Sequence, residues 1–97
     1  MNKISSISKF EANIMLVAWE KKKVTVREVH EILLKNEIRD KDSNFIPYTT
    51  VMSIMAGLAE KKILKVNRSK KTYTYSAKMN KKDLAKSIIS KVAEKLL

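Results

Sequence analysis

The sequence predicts a small fold that is mainly α-helical and carries one short β-hairpin. The chain has 97 residues, of which 44% are hydrophobic, which is enough for a single domain with a core and too little for a large catalytic barrel. Gly and Pro occur once each, so few positions interrupt a helix. Apolar residues recur at helical spacing along most of the chain, and only two short segments are β-prone.

The chain is strongly basic. Lys and Arg number 21 and Asp and Glu number 10, which gives a net charge of +11 and indicates a polyanion as partner. The sequence contains no Cys, which excludes disulfides, thiolate metal sites and thiol nucleophiles. It shows no apolar run of the ~18–20 residues that span a membrane, and no secretory signal. We expect a cytoplasmic protein that needs no cofactor or metal and binds no membrane.

Two capping boxes mark the starts of the first two helices. Ser8 with Glu11, and Thr25 with Glu28, have the spacing at which each pair satisfies exposed N–H groups of a helix end. The segment 14–19 is apolar on nearly every side, which predicts a first helix covered by more than one neighbour. The second helix is predicted to be amphipathic, with these apolar positions: Val26, Val29, Ile32 and Leu33.

The rest of the chain predicts a loop, a helix, a hairpin and a last helix. Residues 36–47 are polar and turn-prone, which predicts a surface loop. Pro47 suits the start of the third helix, and 63–68 with 72–75 are the β-prone segments. Asn80 is a candidate cap for a final helix. The third helix has one apolar stripe: Val51, Ile54, Met55 and Leu58.

This order of elements is that of a winged helix-turn-helix, whose third helix can enter the major groove of DNA while the hairpin lies along the backbone. We therefore assign 1–78 to a winged-helix DNA-binding domain and 79–97 to a C-terminal helix for dimerisation. Half of that helix is apolar and has to be covered. A second copy is the expected cover for Leu84, Ile88, Ile89, Val92 and Leu96. The alternative is that the helix folds back and the protein is monomeric.

The third helix has an uncharged second face. No charged residue lies between Pro47 and Ala59, although 32% of the chain is charged. A face that only meets water would carry Lys and Glu, whereas short hydroxyls and methyl groups allow close approach to base edges. The alternative is burial against another protein. The candidate base-reading residues are Thr49, Thr50, Met52, Ser53 and Ala56.

A second set of residues is expected to contact the DNA backbone. Basic side chains cluster around the end of the third helix and the hairpin, where phosphates would lie. For any single lysine, ordinary solvation is the alternative. Only three of the basic residues are Arg, which favours an A·T-leaning site, since Arg is the usual partner of guanine. The predicted backbone contacts are Tyr48, Lys62, Lys65, Arg68, Lys70 and Lys71.

Enzymatic chemistry finds little support. His30 is the only histidine and lies at the edge of an apolar stripe, where a structural role is the expectation. Glu28 and Glu31 fall on a solvated helix face beside basic residues. We expect that the protein is not an enzyme. The alternative to a repressor is a winged-helix module that joins proteins and has only non-specific affinity for nucleic acid.

Five short segments of the sequence resemble segments of a known family. They are EANIM at 11–15, WE at 19–20, VTVREV at 24–29, YTTVMS at 48–53 and YTYS at 73–76. Together they make residues 8–85 similar to the penicillinase-repressor family, the BlaI/MecI/CopY type of winged-helix repressor. The resemblance implies a repressor that binds an inverted-repeat operator as a homodimer. It also implies that Thr49, Thr50, Met52 and Ser53 read DNA and that Lys70 and Lys71 belong to the wing.

The sequence departs from the family pattern in four places. The loop 36–46 is longer, and Ala56 with Gly57 replaces an acidic residue and an Arg. Lys62 stands where the family usually has Gly, so a left-handed backbone there would be strained. We expect the C-terminal part to lack the family's cleavage region, and the Cys cluster of copper-responsive members is absent. The sequence therefore leaves the mechanism of release open.

Overall fold

The structure is a computed structural model that describes residues 7–39 and 46–96. Its elements follow the predicted order, with four helices and a two-stranded antiparallel sheet. The mainly helical fold with one hairpin is therefore confirmed. The elements are α1 Lys9–Lys21, α2 Val26–Arg39, α3 Tyr48–Glu60, β1 Leu64–Asn67, β2 Thr74–Ala77 and α4 Lys81–Leu96.

Both predicted capping boxes are present. The Ser8 hydroxyl accepts from the Glu11 N–H at 3.1 Å, and the Glu11 carboxylate accepts from the Ser8 N–H at 3.0 Å. Thr25 and Glu28 make the same pair of bonds at 3.1 and 2.9 Å. These bonds satisfy N–H groups that an uncapped helix leaves without partners, and they fix where α1 and α2 begin.

Helix α2 is longer than the sequence predicted. We expected a loop from residue 36, but the helix continues to Arg39. The reason is local: Glu37, Ile38 and Arg39 are acceptable helix residues, and neither Gly nor Pro interrupts them. The most polar part of the predicted loop, 40–45, lies outside the described residues.

The core is built mainly from one face each of α1, α2 and α3. Helix α1 packs against α2, α3 and β2, as its apolar sequence predicted, yet Leu16 in the middle of the helix is half exposed. One side of α1 therefore stays uncovered. The buried core consists of Ile14, Met15, Val17, Ala18, Val24, Val26, Val29, Leu33, Ile46, Val51, Met55, Leu58, Ile63, Leu64, Tyr75 and Leu84.

A β-bridge joins the hairpin to the segment between α1 and α2. Strands β1 and β2 pair from Leu64 with Ala77 to Asn67 with Thr74. Val24 then pairs with Tyr75 on the other edge of β2, with N···O distances of 2.9 and 2.7 Å. The second strand lies later than the predicted 72–75, because Tyr75 is drawn into the core and pairs with Val24.

Helix α3 ends in a left-handed residue that is not glycine. The Lys62 N–H donates to the Ala59 carbonyl at 3.0 Å, and the Ile63 N–H donates to the Leu58 carbonyl at 2.9 Å. This is the Schellman pattern, in which glycine usually occupies the left-handed position. Lys62 adopts it with φ of 66°, as the comparison of its position with the family predicted. The chain accepts strain of about 1–2 kcal/mol there to turn directly into β1.

Helix α4 divides into a docked start and an exposed remainder. Asn80 caps it by accepting from the Asp83 N–H at 2.7 Å, as predicted. The Trp19 indole N–H donates to the Met79 carbonyl at 3.0 Å, and Leu84 is only 4% exposed. Ile88 packs partly against the same core. The start of the helix thus folds back on its own domain, and its later apolar residues do not.

An ion pair joins the start of α1 to the residue that follows α3. The Lys61 ammonium, just after α3, lies 3.1 Å from the Glu11 carboxylate in the first turn of α1. Burial opposes ionisation of this carboxyl, but the Ser8 N–H, the Lys61 ammonium and the Ser8 hydroxyl outweigh it and lower the pKa of Glu11 from 4.5. A lowered pKa means that ionised Glu11 stabilises the fold.

We predict that this stabilisation is present above about pH 4.5 and is lost as the pH falls through the lower pKa of the folded state. Urea unfolding of Glu11→Gln should show a shallower loss of stability on acidification than the unmodified chain. Glutamine keeps the capping geometry, so the difference isolates the charge. Glu11→Ala should lose about 1 kcal/mol at neutral pH as well. Equal acid sensitivity in Glu11→Gln and the unmodified chain would contradict this role.

Candidate nucleic-acid interface

Helix α3 buries one face and exposes the other. Val51, Met55 and Leu58 are fully buried and hold the helix against the core, and Ile54 is half-buried. Within the described part of the chain, nothing covers the opposite face, and Met52 is 46% exposed. All five residues predicted to read bases lie on this open side: Thr49, Thr50, Met52, Ser53 and Ala56. The face is therefore not buried inside its own domain.

A residue of α2 contacts the start of α3. The first turn of α3 contains no acidic residue. Pro47 was the expected first helical residue but is the N-cap, so α3 begins one position later, and the Pro47 carbonyl accepts from the Thr50 and Val51 N–H groups. The His30 ring lies edge-on to Tyr48, with centroids 5.5 Å apart, and its Nε2 is 3.0 Å from the Ile46 carbonyl. His30 is thus the boundary residue the sequence predicted. The positive end of the helix dipole therefore has no acidic side chain in the first turn to offset it.

The predicted backbone-contact residues lie at the surface around α3 and the hairpin. Lys62 follows α3, Lys65 lies on β1, and Lys70 and Lys71 lie in the connection between the strands; all four are exposed. Arg68 is also exposed, and its guanidinium carbon lies 5.7 Å from the centre of the Tyr73 ring, a cation–π contact. This contact holds Arg68 against the hairpin.

A groove separates the start of α3 from the hairpin. Its volume is about 380 Å³, and the start of α2 contributes to its lining. Two side chains at its rim, Arg27 and Lys71, are cationic, and none of its lining residues is acidic. The lining residues are Thr25, Val26, Arg27, Tyr48, Met52, Lys71, Thr72, Tyr73 and Tyr75.

Three residues at this site, Thr25, Arg27 and Tyr73, were not predicted from the sequence to belong to it. Thr25 and Arg27 were explained by the capping box and the polar face of α2, and Tyr73 by the β-prone pattern. They meet because Val24 pairs with Tyr75, which brings the first turn of α2 to the hairpin. Arg27 is exposed, and its Nε lies 3.8 Å from the Glu31 carboxylate. A long-range bridge of this kind has no signal in local sequence spacing.

The residues predicted for dimerisation fall into two groups at a distance from these faces. Leu84 is buried in its own domain and Ile88 is half-buried, so neither presents a full apolar side chain to a partner. The other three are exposed: Ile89 by 66%, Val92 by 45% and Leu96 by 81%. Ile89, Val92 and Leu96 are therefore apolar side chains that the described residues leave exposed to solvent.

The described residues offer neither a metal cluster nor a membrane-spanning helix. Among residues 7–39 and 46–96, no group of three or more His, Cys, Asp or Glu side chains is placed to hold a metal ion. None of the helices in the described segments is both long enough and apolar enough to cross a membrane.

The three-helix core, the bridge beside β2 and the hairpin directly after α3 define a winged helix-turn-helix domain. The model of the penicillinase repressor family matches residues 7–97. The chain belongs to this family of DNA-binding repressors, which confirms the resemblance noted in its sequence.

The fold is also that of a solved DNA-binding domain. The solution structure of the DNA-binding domain of the repressor BlaI is similar with a TM-score of 0.66, at 23% sequence identity. The match covers 86% of this chain and 93% of that one. At this identity the likeness is evidence for the fold alone. No curated protein sequence matches the chain.

Gly57 offers a test of the open space beside α3. It lies within the helix, and a Cβ atom built on it would meet nothing within 4 Å. Gly57→Ala should therefore stabilise the fold by about 0.5–1 kcal/mol, because alanine loses less backbone freedom on folding. Denaturant unfolding measures this gain, with Ala56→Gly as the reciprocal control that should lose a similar amount. A destabilised Gly57→Ala would contradict the open space at this position.

Proposed function

We propose that this protein is a sequence-specific transcriptional repressor that binds an inverted-repeat operator as a homodimer. The observation that carries the proposal is the exposed, uncharged face of α3, in a chain with a net charge of +11. The partner is double-stranded DNA, and the site of action is the cytoplasm. The proposal assigns the protein no catalytic role, cofactor or metal.

Base reading is assigned to the exposed face of α3. The hydroxyls of Thr49, Thr50 and Ser53 can donate to or accept from base edges. Met52 and Ala56 supply apolar contact to the methyl groups of thymine. Short side chains let the helix backbone approach the floor of the major groove, whereas lysines on this face would hold it away. The buried stripe on the opposite side fixes the helix in that orientation.

Backbone contacts are assigned to the residues that surround this face. Tyr48 lies at the start of α3 and Lys62 just after its end, and the remaining residues lie on the hairpin. Their charges and hydroxyl groups suit phosphate oxygens, which fix the register of the protein on the duplex without reading sequence. The hairpin residues in this set are Lys65, Arg68, Lys70 and Lys71.

An A·T-leaning operator fits the composition of the interface. The exposed face of α3 carries no Arg or Lys, which are the usual partners of guanine in the major groove. Arg68 lies in the connection between the two strands of the hairpin. Its positive charge suits the strongly negative potential of a narrow, A·T-rich minor groove. To reach it, Arg68 would have to leave the Tyr73 ring.

Pairing of two copies is assigned to the exposed stripe of α4. Ala85, Ile89, Val92 and Leu96 are separated by four, three and four residues, the spacing of a coiled-coil seam. All four are exposed, while Leu84 and Ile88 face the domain's own core. The docked start of α4 would hold the seam at a set position relative to α3. A two-fold seam of this kind suits an operator with two-fold symmetry.

We predict different effects for the two sets of DNA contacts. Thr49→Ala with Ser53→Ala should reduce the preference for operator over random duplex by about 1–3 kcal/mol per lost base contact. Lys70→Ala should weaken binding to both duplexes about equally and lower the salt slope by about one. Fluorescence anisotropy over a salt series measures both quantities. Ser90→Ala, an exposed hydroxyl deletion on α4, is the matched control and should change neither.

The same titration separates DNA binding from the protein-joining alternative. If the protein contacts ~6–10 phosphates, log affinity should fall against log salt with a slope of about −5 to −9. A flat salt response would contradict a DNA-binding role. Equal loss on both duplexes from the Thr49 and Ser53 substitutions would show that α3 does not read bases.

We predict that Ile89→Lys prevents pairing. A charge in the seam has to be desolvated against the apolar stripe of the partner, so the dimer should dissociate in sedimentation velocity runs. Affinity for a two-half-site operator should fall by at least about tenfold, while affinity for a single half-site should stay unchanged. Ser90→Lys adds the same charge beside the seam and is the control. A monomeric unmodified chain, or a dimer that tolerates Ile89→Lys, would contradict this assignment.

A further inference from the structure

The groove between α2, α3 and the hairpin has the chemistry of a small-ligand site. We propose that it binds a small aromatic anion, such as an aryl carboxylate, and that this ligand competes with DNA. The binding site stands on the structure alone, whereas its regulatory effect rests on the proposed function. The ligand would supply a means of release that works without cleavage of the chain.

The size of the groove suits a ligand of one or two rings. Its volume of about 380 Å³ falls in the range of pockets that hold small molecules, roughly 300–1,000 Å³. Three tyrosines and Met52 supply rings and a polarisable thioether to its walls. Tyr75 is buried beneath the groove, while Tyr48 and Tyr73 are each 46% exposed and lie nearer the surface. A planar ring can therefore contact aromatic surface on more than one side.

The charges around the groove select an anion. Arg27 comes from the first turn of α2 and Lys71 from the hairpin, and no acidic residue lines the groove. The Glu28 carboxylate accepts from the Thr25 N–H at 2.9 Å, and the Glu31 carboxylate lies 3.8 Å from the Arg27 Nε. The pair of Arg27 and Glu31 is exposed and therefore weak, so a ligand carboxylate can replace Glu31. A guanidinium pairs with a carboxylate through two parallel hydrogen bonds, and a lysine adds a point charge. An aryl carboxylate would place its ring against the tyrosines and Met52 and its carboxylate near Arg27 and Lys71.

The groove is formed before any ligand arrives. The Val24–Tyr75 bridge fixes the hairpin relative to the start of α2, and the Thr25–Glu28 capping box fixes the first turn. The contact between Tyr48 and His30 holds the start of α3. A preformed site avoids the free-energy cost of ordering its walls on binding.

Occupancy of the groove conflicts with DNA binding at the same residues. Met52 belongs to the face proposed to read bases, and Tyr48 and Lys71 to the set proposed to contact the backbone. A ligand that contacts these three side chains blocks the path of the DNA strand between α3 and the hairpin. The ligand and the duplex therefore bind in competition.

The binding arm of the test uses the full chain without DNA and 2-naphthoate as the probe. Its titration should shift backbone amide NMR signals of residues 25–27, 52 and 71–73. The uncharged 2-naphthamide and the non-aromatic cyclohexanecarboxylate should each bind about tenfold more weakly. Arg27→Ala should also weaken binding about tenfold, whereas Lys35→Ala, which removes an exposed cation further along α2, should not. Shifts scattered over the basic surface, or equal binding of all three compounds, would overturn the site.

The competition arm measures displacement of a labelled duplex at constant ionic strength. Saturating 2-naphthoate should raise the apparent Kd for DNA by at least about tenfold, and cyclohexanecarboxylate at the same concentration should not. Binding of the probe without displacement would overturn the regulatory effect. Failure of the duplex to bind in the absence of any probe would instead count against the proposed function, and the first arm would still decide the site.

Discussion

The structure depends on the burial of one stripe of α3. Val51, Met55 and Leu58 have no exposed surface, and each contributes roughly 1.5–3 kcal/mol on leaving water. Because these residues can face only the core, the other side of the same helix has to face outwards. The outer side can then remain free of charge without loss of solubility, since the +11 net charge lies elsewhere on the chain. The residues that stabilise the helix and those available to a ligand are thus separate sets on one element.

Three contacts outside that stripe set the position of α3 and its surroundings. Lys61 after the helix is paired with Glu11, and Tyr48 at its start rests against His30. The pairing of Val24 with Tyr75 brings the hairpin and the start of α2 to the same side. Each contact joins segments distant in sequence. Together they explain why the interface and the groove exist in the folded chain without a bound partner.

Local patterns were sufficient to predict the elements and most of the core. Capping boxes and the stripe on α3 depend on residues three or four apart, so Ser8 with Glu11 and Val51 with Met55 could be recognised directly. The left-handed backbone of Lys62 had no local signal and was indicated only by the family resemblance, in which Gly usually holds this position. The groove could not be predicted, because Arg27 and Tyr73 are brought together by a bridge between other residues. The periodicity of α4 likewise showed that Leu84 and Ile89 are apolar, but not that only Leu84 meets its own core.

The hydrogen bond from the Trp19 indole to the Met79 carbonyl has a consequence for the geometry of a pair. It holds the chain just before α4 against α1, in the same rigid core that carries α3. In the proposed dimer, the orientation of α4 would then determine the separation of the two α3 helices. Trp19, a side chain outside the proposed DNA contacts, would help to set which half-site spacing the repressor accepts. Spacing and base sequence would be under the control of different residues, and each could vary in evolution without the other.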